Sequence, residues 1–294
     1  MTGLPDRSKL AVGALLIAGL LWGLSWLPLK HFGNQGLSGI TLSMVCYGLI
    51  SAGALPWLVW RRAAWWQQRW LVLTIAITGG AANVSFLSAL LAGEVVRVML
   101  LFYLAPVWGV LGARLFLRED ITPLRLTAVI LAVLGAVLIL GGPGALTSPI
   151  AAVDLVAVAS GALYAAQNIA TRAADRTPLD AKTLVVFAGC AMLAAAIVLA
   201  TDQTLPPMPP ALLAQIAVFG GVWIMAAVAI TAWGVTHLEA GRASVLLVFE
   251  LVVAALSAMW IGGERLDGIE WIGAAFITGA ALLEARTPPV PVKS

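Results

Sequence analysis

Residues 94–120 read EVVRVMLLFYLAPVWGVLGARLFLRED, and residues 239–265 read EAGRASVLLVFELVVAALSAMWIGGER. At a constant offset of 145 positions, Glu94, Arg97 and Glu119 fall on Glu239, Arg242 and Glu264, flanking an apolar run in both copies. In a chain of 294 residues this offset is about half the length, so the protein is a duplicated unit. A second match agrees: Leu21-Trp22-Gly23 with Lys30 falls on Leu163-Tyr164-Ala165 with Arg172 at an offset of 142, the difference lying in loops.

Composition fixes the class. Hydrophobic residues make up 61% of the chain and Asp, Glu, Lys and Arg 11%, against about 25% charged residues in soluble domains. The mean hydropathy is +0.99. Apolar segments of the roughly 20 residues needed to cross a bilayer follow one another along the chain, and they lack the alternation of a membrane barrel. The net charge of +3 comes from short loops rather than one basic face, which speaks against nucleic acid as a partner. Cys46 and Cys190 lie inside apolar runs without a CxxC pattern and read as packing residues. The run from Leu10 continues to Leu29 without a cleavage motif and reads as a first, retained helix.

Ten helices are predicted, at about 10–32, 37–60, 71–92, 95–117, 123–142, 151–172, 181–201, 211–235, 240–262 and 268–286. Five tryptophans and three arginines between Trp57 and Trp70 form an interfacial belt. Gly142-Pro143-Gly144 and the run 206–210, PPMPP, mark loops. With the N-terminus inside, 14 of the 17 basic residues lie on the inner side, and only Lys30, Arg97 and Arg265 lie outside. The positive-inside rule therefore places both termini in the cytoplasm. A unit of five helices is odd, so the second copy starts from the opposite side. The fold class expected is an all-α integral membrane protein, with two inverted five-helix repeats at 1–145 and 146–294. Inverted repeats are characteristic of secondary transporters, whose substrate site lies near the midplane between the repeats.

Trp22-Gly23 with Lys30, Leu104-Ala105-Pro106, Arg118-Glu119, Gly135 and Gly263-Glu264, in this order and spacing, resemble the drug/metabolite transporter superfamily, in particular its EamA-type ten-helix members. The resemblance covers about residues 10–286. One departure stands out: the second copy has Glu250-Leu251 where the first has Ala105-Pro106. The resemblance implies a secondary transporter of small organic metabolites in the bacterial inner membrane, working by alternating access. Helices 1, 3, 4, 6, 8 and 9 would line its cavity, with 5 and 10 peripheral. Bacterial exporters of amino acids and of cationic aromatic compounds look nearest, and export is implied on that analogy.

Glu250 sits in mid-helix, in LLVFELV at 246–252. An acid at that depth costs several kcal/mol unless protonated or partnered, so it reads either as a contact for substrate or a coupling proton, or as a hydrogen-bonded packing group. No Lys or Arg lies near the midplane of any predicted helix, which argues against phosphate-bearing substrates. Trp22, Phe86, Tyr103, Tyr164 and Trp223 are aromatic candidates for the cavity, with packing as the alternative. Asn83 and Gln167 are neutral groups able to bind an amino acid or to join helices. Pro106 should kink helix 4 one turn after Phe102 and serve as a hinge. Glu94 with Arg97, and Glu239 with Arg242, read as helix-start pairs that either cap their helices or act as gates on opposite membrane faces. No nucleophile–base pair, metal-ligand spacing or GxxxxGK[ST] loop occurs. The expectation is no enzyme, no cofactor and no metal, with transport driven by a gradient. Partners expected are a small-molecule substrate (amino acid or aromatic, cationic metabolite), a coupling proton and the lipid bilayer, for a monomer or homodimer.

Overall fold

The computed structural model describes residues 7–116, 122–139, 151–202, 204–238, 243 and 246–285. Arg118, Glu119, Glu239, Arg242 and the 145/146 repeat boundary lie outside the described residues. Among the described residues there are ten helical spans and no strands. In chain order α1 covers Arg7–Gly23 and Trp26–Asn34, α2 Gly39–Trp60, α3 Arg69–Ala92, and α4 Val95–Phe102 and Ala105–Phe116. Then follow α5 Pro123–Ile139, α6 Ala152–Ala173, α7 Leu179–Ala200, and α8 from Pro210 to Thr236. The last two are α9, Phe249–Trp260, and α10, Gly268–Ala285. Seven of these are long and apolar enough to span a membrane, and α5, α9 and α10 are shorter apolar helices. The chain is a multi-pass membrane protein.

Local chemistry explains the interruptions. Pro28 lacks an N–H, so the Leu24 carbonyl cannot receive a helical bond from it. Leu27 N donates to Leu24 O instead (3.1 Å), and the Ser25 hydroxyl donates to Trp22 O (2.6 Å), closing a turn at 24–25. Pro106 acts likewise in α4. The helix stops at Phe102, Leu104 N turns back to Leu101 O (3.2 Å), and Val107 N to Leu104 O (2.9 Å). The expected kink is thus a full break at Tyr103-Leu104, because Pro106 fits best at the start of the new segment. A matching turn at Val248 precedes α9, 145 positions later, although the second copy has no proline there. α8 carries a π-helical segment at Phe219–Ile224.

Packing obeys the duplication. α3 packs on α6 and α7, while α8 packs on α1 and α2. α4 packs on α6, as α9 does on α1. α2 with α7, α4 with α9, and α5 with α10 are pairs related to themselves. Exchanging each helix for its repeat mate regenerates these pairings, whereas among the described residues the contacts of α2 with α3 and of α4 with α5 are peculiar to the first repeat. Glycines permit the tightest crossings: a Cβ on Gly135 would lie 2.7 Å from Gly273 O, and a Cβ on Gly273 equally close to Gly135 O. A Cβ on Gly80 of α3 would lie 2.5 Å from Gly189 C of α7.

The inversion is visible in two sets of loop contacts. At one face Arg61 pairs with Asp180, and the Gln68 side chain donates to Asp175, tying the α2–α3 turn to the α6–α7 turn. At the other, Lys30 Nζ donates to Gly93 O, and Arg97 pairs with Asp154. α1 ends on this second face while α6 begins there. The two repeats therefore run through the bundle in opposite senses.

Candidate functional site

The turn at Tyr103-Leu104 and the turn at Val248 bring α4 and α9 together at the centre of the bundle. Tyr103 lies in the first turn, and Glu250 follows the second by two residues. The Tyr103 hydroxyl donates to Glu250 Oε1 at 2.8 Å. Both side chains are half-buried, and among the described residues no Lys or Arg pairs with Glu250. Small residues bring the neighbouring helices in. A Cβ on Gly23 of α1 would lie 2.7 Å from Glu250 O, and one on Gly19 would lie 3.0 Å from the Phe249 ring. In the other repeat, a Cβ on Gly161 of α6 would lie 2.6 Å from Phe102 O, the carbonyl that Pro106 leaves without a helical donor.

Phe102 is the hub of an aromatic cluster. Its ring centroid lies 4.7 Å from Phe86 of α3, 5.3 Å from Tyr164 of α6 and 6.1 Å from Tyr103, in tilted and edge-on arrangements. The structure thus joins Phe86, Tyr103, Tyr164 and Glu250, contributed by α3, α4, α6 and α9. The result is a carboxylate beside electron-rich rings, an arrangement suited to an ammonium group.

Trp22 and Trp223 are placed at the α1–α8 joint. Trp22 Nε1 donates to Thr231 Oγ1 (3.1 Å), and Trp223 Nε1 donates to Leu21 O (3.0 Å), so both indoles use their polar atom between helices. Asn83 is likewise engaged: its Oδ1 accepts from the Tyr47 hydroxyl (3.2 Å) and its Nδ2 donates to Gly79 O (2.9 Å). Gln167 sits against the same Gly79, where a Cβ would lie 2.9 Å from its amide carbon. Tyr47, stacked on Phe187 at 5.5 Å, and Thr231 were not singled out in the sequence. Nothing in a lone hydroxyl on an apolar helix announces a distant partner.

At the Lys30 face, polar groups fasten the helix ends. Arg97 makes a two-pronged pair with Asp154, Nε to Oδ1 at 2.8 Å and Nη2 to Oδ2 at 2.9 Å. Its Nη1 donates to Ile139 O (2.7 Å) and to Glu270 Oε1 (3.4 Å). One guanidinium so ties α4 to α5, α6 and α10. The hydrogen-bonded partner of Arg97 is thus Asp154, not Glu94. Glu94 stands at the start of α4 without a side-chain capping bond, three residues from Arg97, whereas Asp154 is 1% exposed and meets the guanidinium's fork. Glu264 supplies the cap instead: its two carboxylate oxygens accept from Val95 N (2.6 Å) and Val96 N (2.9 Å), reaching from the second repeat into the first. Lys30 closes the end of α3 by donating to Gly93 O (2.7 Å). Among the described residues no group of His, Cys, Asp and Glu is placed to hold a metal ion.

The family model described as the EamA-like transporter family matches the chain twice, over residues 9–141 and 151–285. A solved structure titled only as the crystal structure of a protein has a TM-score of 0.59 and 19% identity, covering 95% of this chain and 98% of its own. At that identity the likeness is one of fold. No curated protein matches the chain.

Proposed function

For this chain, which belongs to the EamA-like transporter family of drug/metabolite-type transporters, we propose export of amino acids or related small amphipathic metabolites across the bacterial inner membrane by alternating access. The observation that carries this reading is Glu250, held by Tyr103 and free of a basic partner among the described residues, beside the Phe86–Phe102–Tyr164 cluster. A substrate ammonium would sit on Glu250 with its apolar part on the rings. Tyr103, Phe86 and Tyr164 would form the inner wall, with Trp22, Asn83, Gln167 and Trp223 bordering it. The bias of basic residues supports cytoplasmic termini at both ends, and the duplication supports units at 1–145 and 146–294. Glu94 and Arg97 on one face, and Glu239 and Arg242 on the other, are the gate elements of this scheme, with Pro106 as hinge.

A second reading, export of organic cations, draws on the engagement of Asn83 by Tyr47 and Gly79, which leaves less for a substrate carboxylate. Uptake into inverted vesicles separates the two readings. A tryptophan-like amino acid should accumulate in preference to a permanently charged aromatic cation; the opposite preference establishes the cation exporter. Glu250→Gln should abolish uptake, or leave slow uptake that no longer varies between pH 5.5 and 8 if Glu250 also carries the coupling proton. Parent-like transport by this variant at every pH excludes Glu250 from both roles.

A further inference from the structure

Between α2, α7 and α8 an apolar crevice of about 380 Å³ lies open on the surface of the bundle, lined by Leu49, Gly53 and Ala54 of α2, Leu184 of α7, and Gly221 and Met225 of α8. Its shape has a local cause. Gly220 brings α8 against α2, where a Cβ would lie 2.9 Å from Cys46 Sγ, while a Cβ on Gly221 or Gly53 would meet nothing within 4 Å. Two walls of the crevice lead to a basic end. α2 runs on from Gly53 to Trp57 and Arg61, and α7 begins one turn before Leu184, at the Arg61–Asp180 pair. There the Arg61 guanidinium lies 5.0 Å over the Trp57 ring, and Arg62 follows, exposed and without a carboxylate partner among the described residues. Arg69 lies over the rings of Trp66 and Trp70, residues that are 56% and 69% exposed. Asp180 is the acid within reach of Arg61, and it leaves Arg62 free. Tryptophan and arginine together suit the depth of lipid headgroups, and basic residues there attract anionic ones.

We propose that this crevice holds an acyl chain of one anionic phospholipid, whose phosphate is taken by Arg61 and Arg62 at the end of α2. An apolar slot with positive charge at one end of it is what such a lipid requires, independently of the transport reading. Its test is native mass spectrometry of the delipidated full chain, offered phosphatidylglycerol and phosphatidylcholine of the same acyl composition in equal amounts. Phosphatidylglycerol should be retained in preference, by about fivefold for each arginine that reaches the phosphate. Arg61→Gln with Arg62→Gln should reduce that preference to nothing while leaving weak retention of both lipids. Gly53→Leu and Gly221→Leu, placed where a side chain has room, should displace both lipids. Equal retention of the two lipids by the parent overturns the proposal, as does unchanged retention in the leucine variants. Loss of a dimer in Gly221→Leu without loss of lipid also overturns it, and would make a second copy of this chain the occupant.

Discussion

Tyr103 and Glu250 stand 147 positions apart and share one hydrogen bond of 2.8 Å. Glu250 is half-buried among apolar residues, so the form it holds depends on the few polar atoms it meets. Removing the hydroxyl with Tyr103→Phe should leave the fold intact. It should lower transport about tenfold, since a hydrogen bond to a charged group contributes roughly 1.5–3 kcal/mol, and it should change the pH profile; initial rates across pH measure both. Asp154 offers a contrasting case. At 1% exposure it is compensated by Arg97 alone among the described residues. Asp154→Ala leaves the guanidinium only Ile139 O and the longer contact to Glu270, and should cost about 3 kcal/mol, read as a drop in the thermal unfolding midpoint in detergent. The sequence made Glu250 legible because an acid inside an apolar run is conspicuous by itself. It left Asp154 unnoticed because an acid at the start of a helix is common, and its partner lies 57 positions away.

Helix interruptions decide which side chains reach the centre. Pro106 ends the first segment of α4 at Phe102 and turns Tyr103 out of the helical register, and the freed Phe102 carbonyl meets Gly161 of α6. Pro106→Ala restores a donor for that carbonyl and removes the reason for the turn. The expected result is a thermal midpoint equal to or above the parent's with slower turnover, measured on the same preparation. An unchanged turnover number would show that the break is static rather than a hinge. The sequence located this feature within three residues, because a proline's missing N–H acts one turn before it. It gave no sign of the matching turn at Val248, where no proline stands, nor of the π-helical segment in α8. Those depend on how the second repeat packs against the first.

At the scale of the molecule, two inverted five-helix units meet through self-related pairs, and polar bonds fasten both faces, most densely the one that holds Lys30 and Arg97. Glu264 caps α4 across the repeat boundary, and Lys30 closes α3 beside it. Glu264→Ala should loosen this face. With Phe86→Cys as reporter in the aromatic cluster, labelling by an impermeant thiol reagent applied from the Lys30 side should rise several-fold, the native cysteines being buried. Labelling that stays at the parent level would mean that the cap stabilises α4 without closing the bundle.

The membrane class, the ten spans, the duplication and the opposed sense of its halves are all legible in the order of the residues. Each of these rests on a one-dimensional quantity: the length of an apolar run, the offset of a repeat, the odd number of helices per copy. That order also exposed Glu250, because charge in hydrocarbon needs no context to be unusual. Tertiary structure alone decided the company that residue keeps. Which hydroxyl reaches it, which rings surround it and which carboxylate takes Arg97 are matters of angstroms between distant segments, set by glycine-permitted crossings and helix breaks that no local pattern encodes.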